Sequence, residues 1–224
     1  LFVKVPNNQT YFMFAETIEV ADGAMYKVYT DISCQENYCI PSYMASNMTI
    51  GDNTYYLLVT NEGYISKLYT VIVYRRYMFE VSFVTNGGSA VEPQIVEEDS
   101  LATEPTTTRA GYTFTGWDYD FSKAITKKTT INASWKANKD TKYIVEYYLQ
   151  NLENDKYTLV LTENKTGTTD TTAEAEIKKF DHFTHKPSST DSGNIIGNGT
   201  LVLKVYYTRD TYTIATTVNN NKAG

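Results

Sequence analysis

Residues 109–121 read RAGYTFTGWDYDF, placing Tyr112, Phe114, Trp117, Tyr119 and Phe121 within thirteen positions with Asp118 and Asp120 between them. Two readings compete. The rings could form a platform for a sugar, with a pair of carboxylates beside it, or they could be the core of a very small domain. Each buried aromatic removes about 150–250 Å² from water, so a small unit can build a core from a few of them. If the extended run starts at Gly111, Tyr112, Phe114 and Gly116 share one strand face, and Trp117 follows Gly116, where a bend can turn its ring inward. Trp135 ends a later strand. Phe83, Phe114, Trp117 and Trp135 are therefore expected to form most of the core of a unit of about 60 residues, with Asp118 and Asp120 facing solvent.

The same strand chemistry extends outward in both directions. Period-two alternation recurs at YYLLVT (55–60), LYTVIVY (68–74), YMFEVSFV (77–84), YIVEYYL (143–149) and LVLKVYY (201–207). These runs are rich in Val, Ile, Tyr and Thr and end at Asn, Gly, Asp or Arg turn material, which predicts strands of a largely antiparallel β protein. Only TTAEAEIKKF (171–180) has helical propensity, enough for a turn or two. Breaks at Arg75-Arg76, at KANKDTK (136–142) and around Thr208-Arg209-Asp210 divide the chain into 1–76, 77–137 and 138–210, with 211–224 opening a fourth unit. No Gly/Ser or Pro linker separates them, so successive units are expected to hold a fairly fixed mutual angle, as a stalk requires.

Composition narrows the function classes. A net charge of −6 and a pI near 5.0 give no electrostatic reason to bind nucleic acid. No apolar run is long enough to span a bilayer, and LFVKVPNNQT has neither the charged start nor the apolar stretch of a signal peptide. The sequence does not begin with Met and reads as a fragment of something longer.

In the second unit, the order Val81-x-Phe83-x-x-Asn86-Gly87-Gly88, Pro105, Gly111-Tyr112-x-Phe114-x-Gly116-Trp117 and Ile131-x-Ala133-x-Trp135 resembles the Listeria-Bacteroides repeat, the B-repeat of internalins. That resemblance implies a small β-grasp-like module of bacterial cell-surface proteins, often in tandem, with no catalytic residues. GDNTYYLLVTNEGYISKLYTVIVYRR (51–76) is similar to the later part of a cadherin-like bacterial β-sandwich. Tyr143–Leu149, KTGTTDTTAEAE and GTLVLKVYYTRDTY resemble mucin-binding-like modules of Gram-positive surface proteins, except that Asp181-His182-Phe183 stands where a Gly-Tyr is usual. YTIATTVNNNKAG resembles the first strand of a further internalin-type repeat. Together these imply a mainly β chain of tandem small modules, a β-sandwich-like unit followed by two β-grasp-like units in an elongated arrangement. They imply a non-catalytic stalk, spacer and adhesion segment of an extracellular bacterial protein, on the cell surface or secreted. Its partners would be a host or environmental glycan or protein and the neighbouring modules of its own chain. The alternative is an accessory carbohydrate- or mucin-binding set on a secreted hydrolase, with tyrosines such as Tyr143, Tyr147 and Tyr148 offering rings to sugars.

Residues capable of chemistry are few. Cys34 and Cys39, spaced C-x4-C, lack the further cysteines of a zinc quartet, and the spacing leaves both a short disulfide loop and two free thiols open. His182 and His185 would need a third convergent ligand, and on an extended chain positions i and i+3 point to opposite faces, so no metal site is expected. Ser188 and Ser189 lie near His185 in a polar loop without a nucleophile elbow. Glu97-Glu98-Asp99 and Glu174 with Glu176 supply carboxylates, but small rod-like units rarely offer a glycosidase cleft. Calcium, which cadherin-type rods hold at their joints, is disfavoured by Arg75-Arg76 and by the lack of a D-x-D-x-D-G loop. Sequons at Asn8, Asn47, Asn132, Asn164 and Asn198 are what an Asn- and Thr-rich chain produces by chance. No cofactor is implied, and the Lys and Asn content permits an intramolecular isopeptide bond without indicating one.

Overall fold

The computed structural model describes residues 1–36, 39–40, 44–63 and 65–215, and they are nearly all β. The chain opens with β1 (Phe2–Val5), β2 (Phe12–Met13), a single helical turn α1 (Phe14–Thr17), β3 (Ala24–Tyr29), β4 (Met44–Ala45), β5 (Gly51–Asn61) and β6 (Lys67–Arg75). Four of these strands make a sheet in the order β1-β6-β5-β3, while β2 and β4 pair separately. A four-residue helix cannot stand alone. It persists here because it buries Phe14 completely, edge-on to Phe12 at 4.9 Å and to Tyr55 at 5.2 Å. Val28, Val71 and Val73, on alternate positions of their strands, complete this core.

Next come β7 (Met78–Val84), β8 (Gln94–Glu97), β9 (Tyr112–Trp117) and β10 (Thr129–Ala137), forming a sheet in the order β8-β7-β10-β9. They are followed by β11 (Thr141–Gln150), β12 (Tyr157–Gly167), β13 (Thr172–Glu174), β14 (Phe183–Lys186), β15 (Ser192–Asn194) and β16 (Val202–Arg209). The third sheet runs β12-β11-β16-β14, with β13 and β15 as a separate ladder. In both the second and the third sheet the first two strands form an antiparallel pair, and the first and last strands lie side by side in parallel. The first sheet also sets its first strand parallel to its last.

The expected helix over 171–180 is absent. Thr172–Glu174 instead pairs antiparallel with Ser192–Asn194, and Ala173 and Ala175 turn into the core around Val145, Tyr147, Leu203, Val205 and Tyr207. Alternate small side chains that fit a tightly packed interior override a local helical preference.

Two compact units divide the chain. One holds residues 1–84, 91–106 and 117–132; the other holds 85–90, 107–116 and the residues from 133 onward. The stretch 77–137 thus contributes to both. In the first unit Val81, Ile125 and Ile131 are at most 1% exposed and form a second core, against which Phe79, Phe83, Trp117, Tyr119 and Phe121 pack.

Candidate functional site

The aromatic run resolves into two ring pairs. Trp117 meets Phe83 edge-on at 5.3 Å in the first unit and donates from Nε1 to the Pro105 carbonyl at 3.0 Å. In the second unit Trp135 meets Phe114 at 5.3 Å and donates to the Thr85 carbonyl at 2.8 Å. All four rings are half-buried, and each indole N–H has the acceptor that a buried tryptophan needs. Gly88 lies flush against Trp135, where a Cβ would come 2.5 Å from the ring's Cζ2.

Asp118 and Asp120 are exposed and lie just past the end of β9 at Trp117. Asp118 accepts from the backbone N–H of Asn132 at 2.6 Å and from its Nδ2 at 2.8 Å, and these bonds hold its carboxyl below the ordinary range. Asp120 accepts from Ser122 Oγ at 2.6 Å, with the same effect. Asp118 therefore ties the chain just after β9 to Asn132 of β10, and Asp120 closes a local turn with Ser122.

His182 and His185 serve different partners. His182 Nδ1 lies 3.0 Å from the Tyr212 hydroxyl, while His185 Nε2 lies 2.9 Å from Asp191 Oδ2 with its ring against Tyr207. Asp191 Oδ2 also accepts from the Ser188 backbone N–H, and Ser188 Oγ pairs with Thr190 Oγ1 at 3.0 Å. A nucleophile needs its hydroxyl on the histidine, whereas here the hydroxyl serves a turn. Cys34 and Cys39 are free thiols, both half-buried. Burial, then the neighbouring Asp31 carboxylate, raises the Cys34 thiol above its ordinary value. Among the described residues no three His, Cys, Asp or Glu side chains converge as a metal site would require.

The acidic run Glu97-Glu98-Asp99 has a use that sequence spacing could not reveal. Within the first unit it faces the end of the first sheet. Lys4 Nζ meets Asp99 at 2.7 Å, the Tyr74 hydroxyl donates to Glu98 at 2.7 Å, and Arg76 lies 3.9 Å from Glu97 and 4.0 Å from Asp99. Asn7 donates from its backbone to Glu97 and from Nδ2 to the Arg76 carbonyl at 2.7 Å. The Lys4 hydrogen bond holds Asp99 below its ordinary range, and the Glu98 bond pushes Tyr74 up to about 12. Where a calcium-bridged joint would gather carboxylates around an ion, an ammonium and a guanidinium supply the positive charge.

A second seam lies within the second unit. Thr169 Oγ1 donates to the Gly111 carbonyl at 2.8 Å and pairs at 2.6 Å with Thr141 Oγ1, both threonines being buried. The Asn138 N–H donates to Gly111 at 2.9 Å and the Thr169 N–H to Asn138 at 2.9 Å. The Tyr112 hydroxyl donates to Asp170, and the Arg109 guanidinium stacks 3.6 Å from the Tyr112 ring centre.

The tyrosine face divides by phase. Tyr147 is fully buried and cannot offer its ring to a ligand, which corrects the expectation made for it. Burial, then Glu163, raises it to about 12. Tyr148 points the other way, stacked on Tyr206 at 5.0 Å and 22°, with Tyr157 edge-on to Tyr206 at 5.1 Å. Glu146 accepts from the Tyr148 hydroxyl at 2.7 Å, and Lys204 and Lys186 lie over the Tyr148 and Tyr157 rings at 6.0 and 5.6 Å. The outer face of the third sheet is an aromatic patch rimmed by both signs of charge.

Residues 79–146 match the Listeria-Bacteroides repeat domain. This repeat is typical of bacterial surface proteins and is in general non-catalytic. No curated protein matches the chain. A solved structure, "The Bacillus anthracis TIE protein", is weakly similar at 10% identity and a TM-score of 0.30; the match covers 84% of this chain and 52% of that one. The chain therefore spans about half the length of that protein. Among the described residues no helix is long and apolar enough to cross a membrane.

Proposed function

We propose that this chain is a non-catalytic segment of a bacterial cell-surface or secreted multidomain protein, acting as spacer and adhesion module outside the cell. The observation that carries this reading is the way the chain passes from sheet to sheet. Only Arg76 and Tyr77 separate β6 from β7, and only Asn138, Lys139 and Asp140 separate β10 from β11. Each passage lies beside a seam of ion pairs or buried hydroxyls, and the residues best placed for chemistry are spent on turns and seams. The modules of this reading are a cadherin-like 1–76, a repeat at 77–137 and a mucin-binding-like 138–210. The start of a further repeat at 211–224 lies outside the described residues from 216 onward. The shared strand order of the second and third sheets supports taking both as β-grasp-like. An antibody raised against this segment should label intact source cells or the culture medium; signal found only after lysis would overturn the proposal.

A second reading, an accessory carbohydrate- or mucin-binding module, is favoured by one feature, the patch of Tyr148, Tyr157 and Tyr206 with Glu146 at its rim. A glycan array probed with the protein should then give hits that Tyr157→Ala abolishes, and silence at high micromolar concentration would dismiss it.

A further inference from the structure

The geometry points to a mechanical function: the parallel pairing of the first and last strands makes the sheets shear clamps that carry tension along the chain. In the second sheet β7 pairs with β10 over four residue pairs, Val81 to Val84 against Thr129 to Asn132. In the third, β11 pairs with β16 over six, Ile144 to Leu149 against Val202 to Tyr207. The first sheet repeats the device over four pairs, Phe2 to Val5 against Ile72 to Arg75, extended by the Arg76 N–H donating to Val5 at 3.1 Å. Two parallel neighbours that begin and end a module place its entry and exit at opposite ends of the same pair. Tension then slides one strand along the other and loads every hydrogen bond of the ladder together. An antiparallel pair pulled from adjacent ends opens one bond at a time. The inference rests on the spacer reading and adds what the spacer resists.

The third sheet reinforces its clamp with side chains. Tyr148 and Tyr206 are direct partners in the parallel register and stack, and Glu146 stands opposite Lys204 one step away. Cross-strand pairs of these kinds stabilise a ladder, and here they lie across the two strands that tension would part. On the other face Val145, Tyr147, Leu203 and Val205 are almost wholly buried. The longer register and the tyrosine stack make this clamp yield last, after the four-pair ladder of the second sheet.

Forced unfolding is governed by the unfolding barrier and so reports this geometry directly. The whole chain, with Cys34→Ser and Cys39→Ser, is held in optical tweezers through cysteines at Lys142→Cys and Thr211→Cys, which load β11 against β16 in shear. A second attachment at Lys142→Cys and Thr166→Cys, paired residues of β11 and β12, peels the sheet open. The shear arrangement should need severalfold more force than the peeling one, and equal forces would overturn the clamp. Pulled from the chain's two ends, the rupture releasing the length of the third sheet's strands should come last; its coming first would overturn the ranking. Tyr206→Ala should lower that rupture force and leave the second sheet's unchanged, with Tyr206→Thr as the substitute if the alanine variant does not fold. An unchanged force would remove the tyrosine stack from the clamp. Surface labelling of cells is independent of these outcomes, so the clamp can fail while the spacer reading stands.

Discussion

Gly197 and Gly111 meet backbone to backbone in the second unit: a Cβ on Gly197 would lie 3.3 Å from the Gly111 Cα and would be driven into the carbonyl oxygen of Ala110. Neither backbone can retreat cheaply, because Gly111 accepts from both Asn138 and Thr169. Gly197→Ala should therefore cost about 1–3 kcal/mol, the usual penalty for overpacking. Gly63→Ala, at a turn with nothing within 4 Å but a φ of +82°, separates backbone strain from this collision. Thermal melting of both variants checks the assignment, and a Gly197→Ala protein as stable as the parent would show that the seam is not close-packed.

The acidic run at the end of the first sheet is met by Lys4 and Arg76. Calcium addition or chelation should leave the first unit's melting temperature unchanged. Lys4→Ala should cost little, since the Lys4–Asp99 pair is more than a third exposed on both sides and screened by solvent. Lys4→Glu, which places a fourth carboxylate beside Glu97, Glu98 and Asp99, should cost more and should make stability respond to calcium. A parent protein stabilised by calcium would refute the substitution of side chains for metal.

Trp117 and Trp135 belong to different compact units, so their removal should act separately. Either Trp→Ala change should cost about 3–5 kcal/mol, the range for deleting a packed aromatic. Trp117→Ala is expected to lower the transition of the unit containing Val81 and Ile131, and Trp135→Ala that of the unit containing Val145 and Leu203. Calorimetry with hydrogen exchange on those strands distinguishes the two. Loss of the same transition in both variants would mean that the four rings work as one core.

How much of this was legible depended on the range of the interaction. Period-two alternation located β5, β6, β7, β11 and β16 because burial on one face writes itself into neighbouring residues. It also contained the phase of Tyr147, which continues the apolar series from Val145 to Leu149, although the adjacent tyrosines hid that at first sight. The 171–180 segment reads as helix because Ala, Glu and Lys favour helix locally, whereas its pairing with Ser192–Asn194 is nonlocal. The acidic run was visible, but its partners Lys4 and Tyr74 lie on another sheet. The parallel terminal pairs are a property of register, which no single strand encodes.

Alkaline titration tests the tyrosines buried in or bonded to these structures. Tyr74, Tyr147 and Tyr148 are each raised from 10.0 to about 12, Tyr74 and Tyr148 chiefly by donating to Glu98 and Glu146, Tyr147 chiefly by burial. A phenol with a raised pKa in the folded state keeps its proton where the unfolded chain has lost it, so its contribution is complete below pH 10 and disappears as pH rises toward 12. Stability should hold up to about pH 10 and fall steeply above it. Absorbance should show a late group, Tyr74, Tyr147 and Tyr148, ionising near 12 and coinciding with unfolding. Glu146→Gln keeps an acceptor but removes the charge, and should bring Tyr148 back down from the late group toward its ordinary value. If every tyrosine ionises in a single wave near 10 while circular dichroism still reports folded strands, then neither Glu98 nor Glu146 holds the hydroxyl assigned to it.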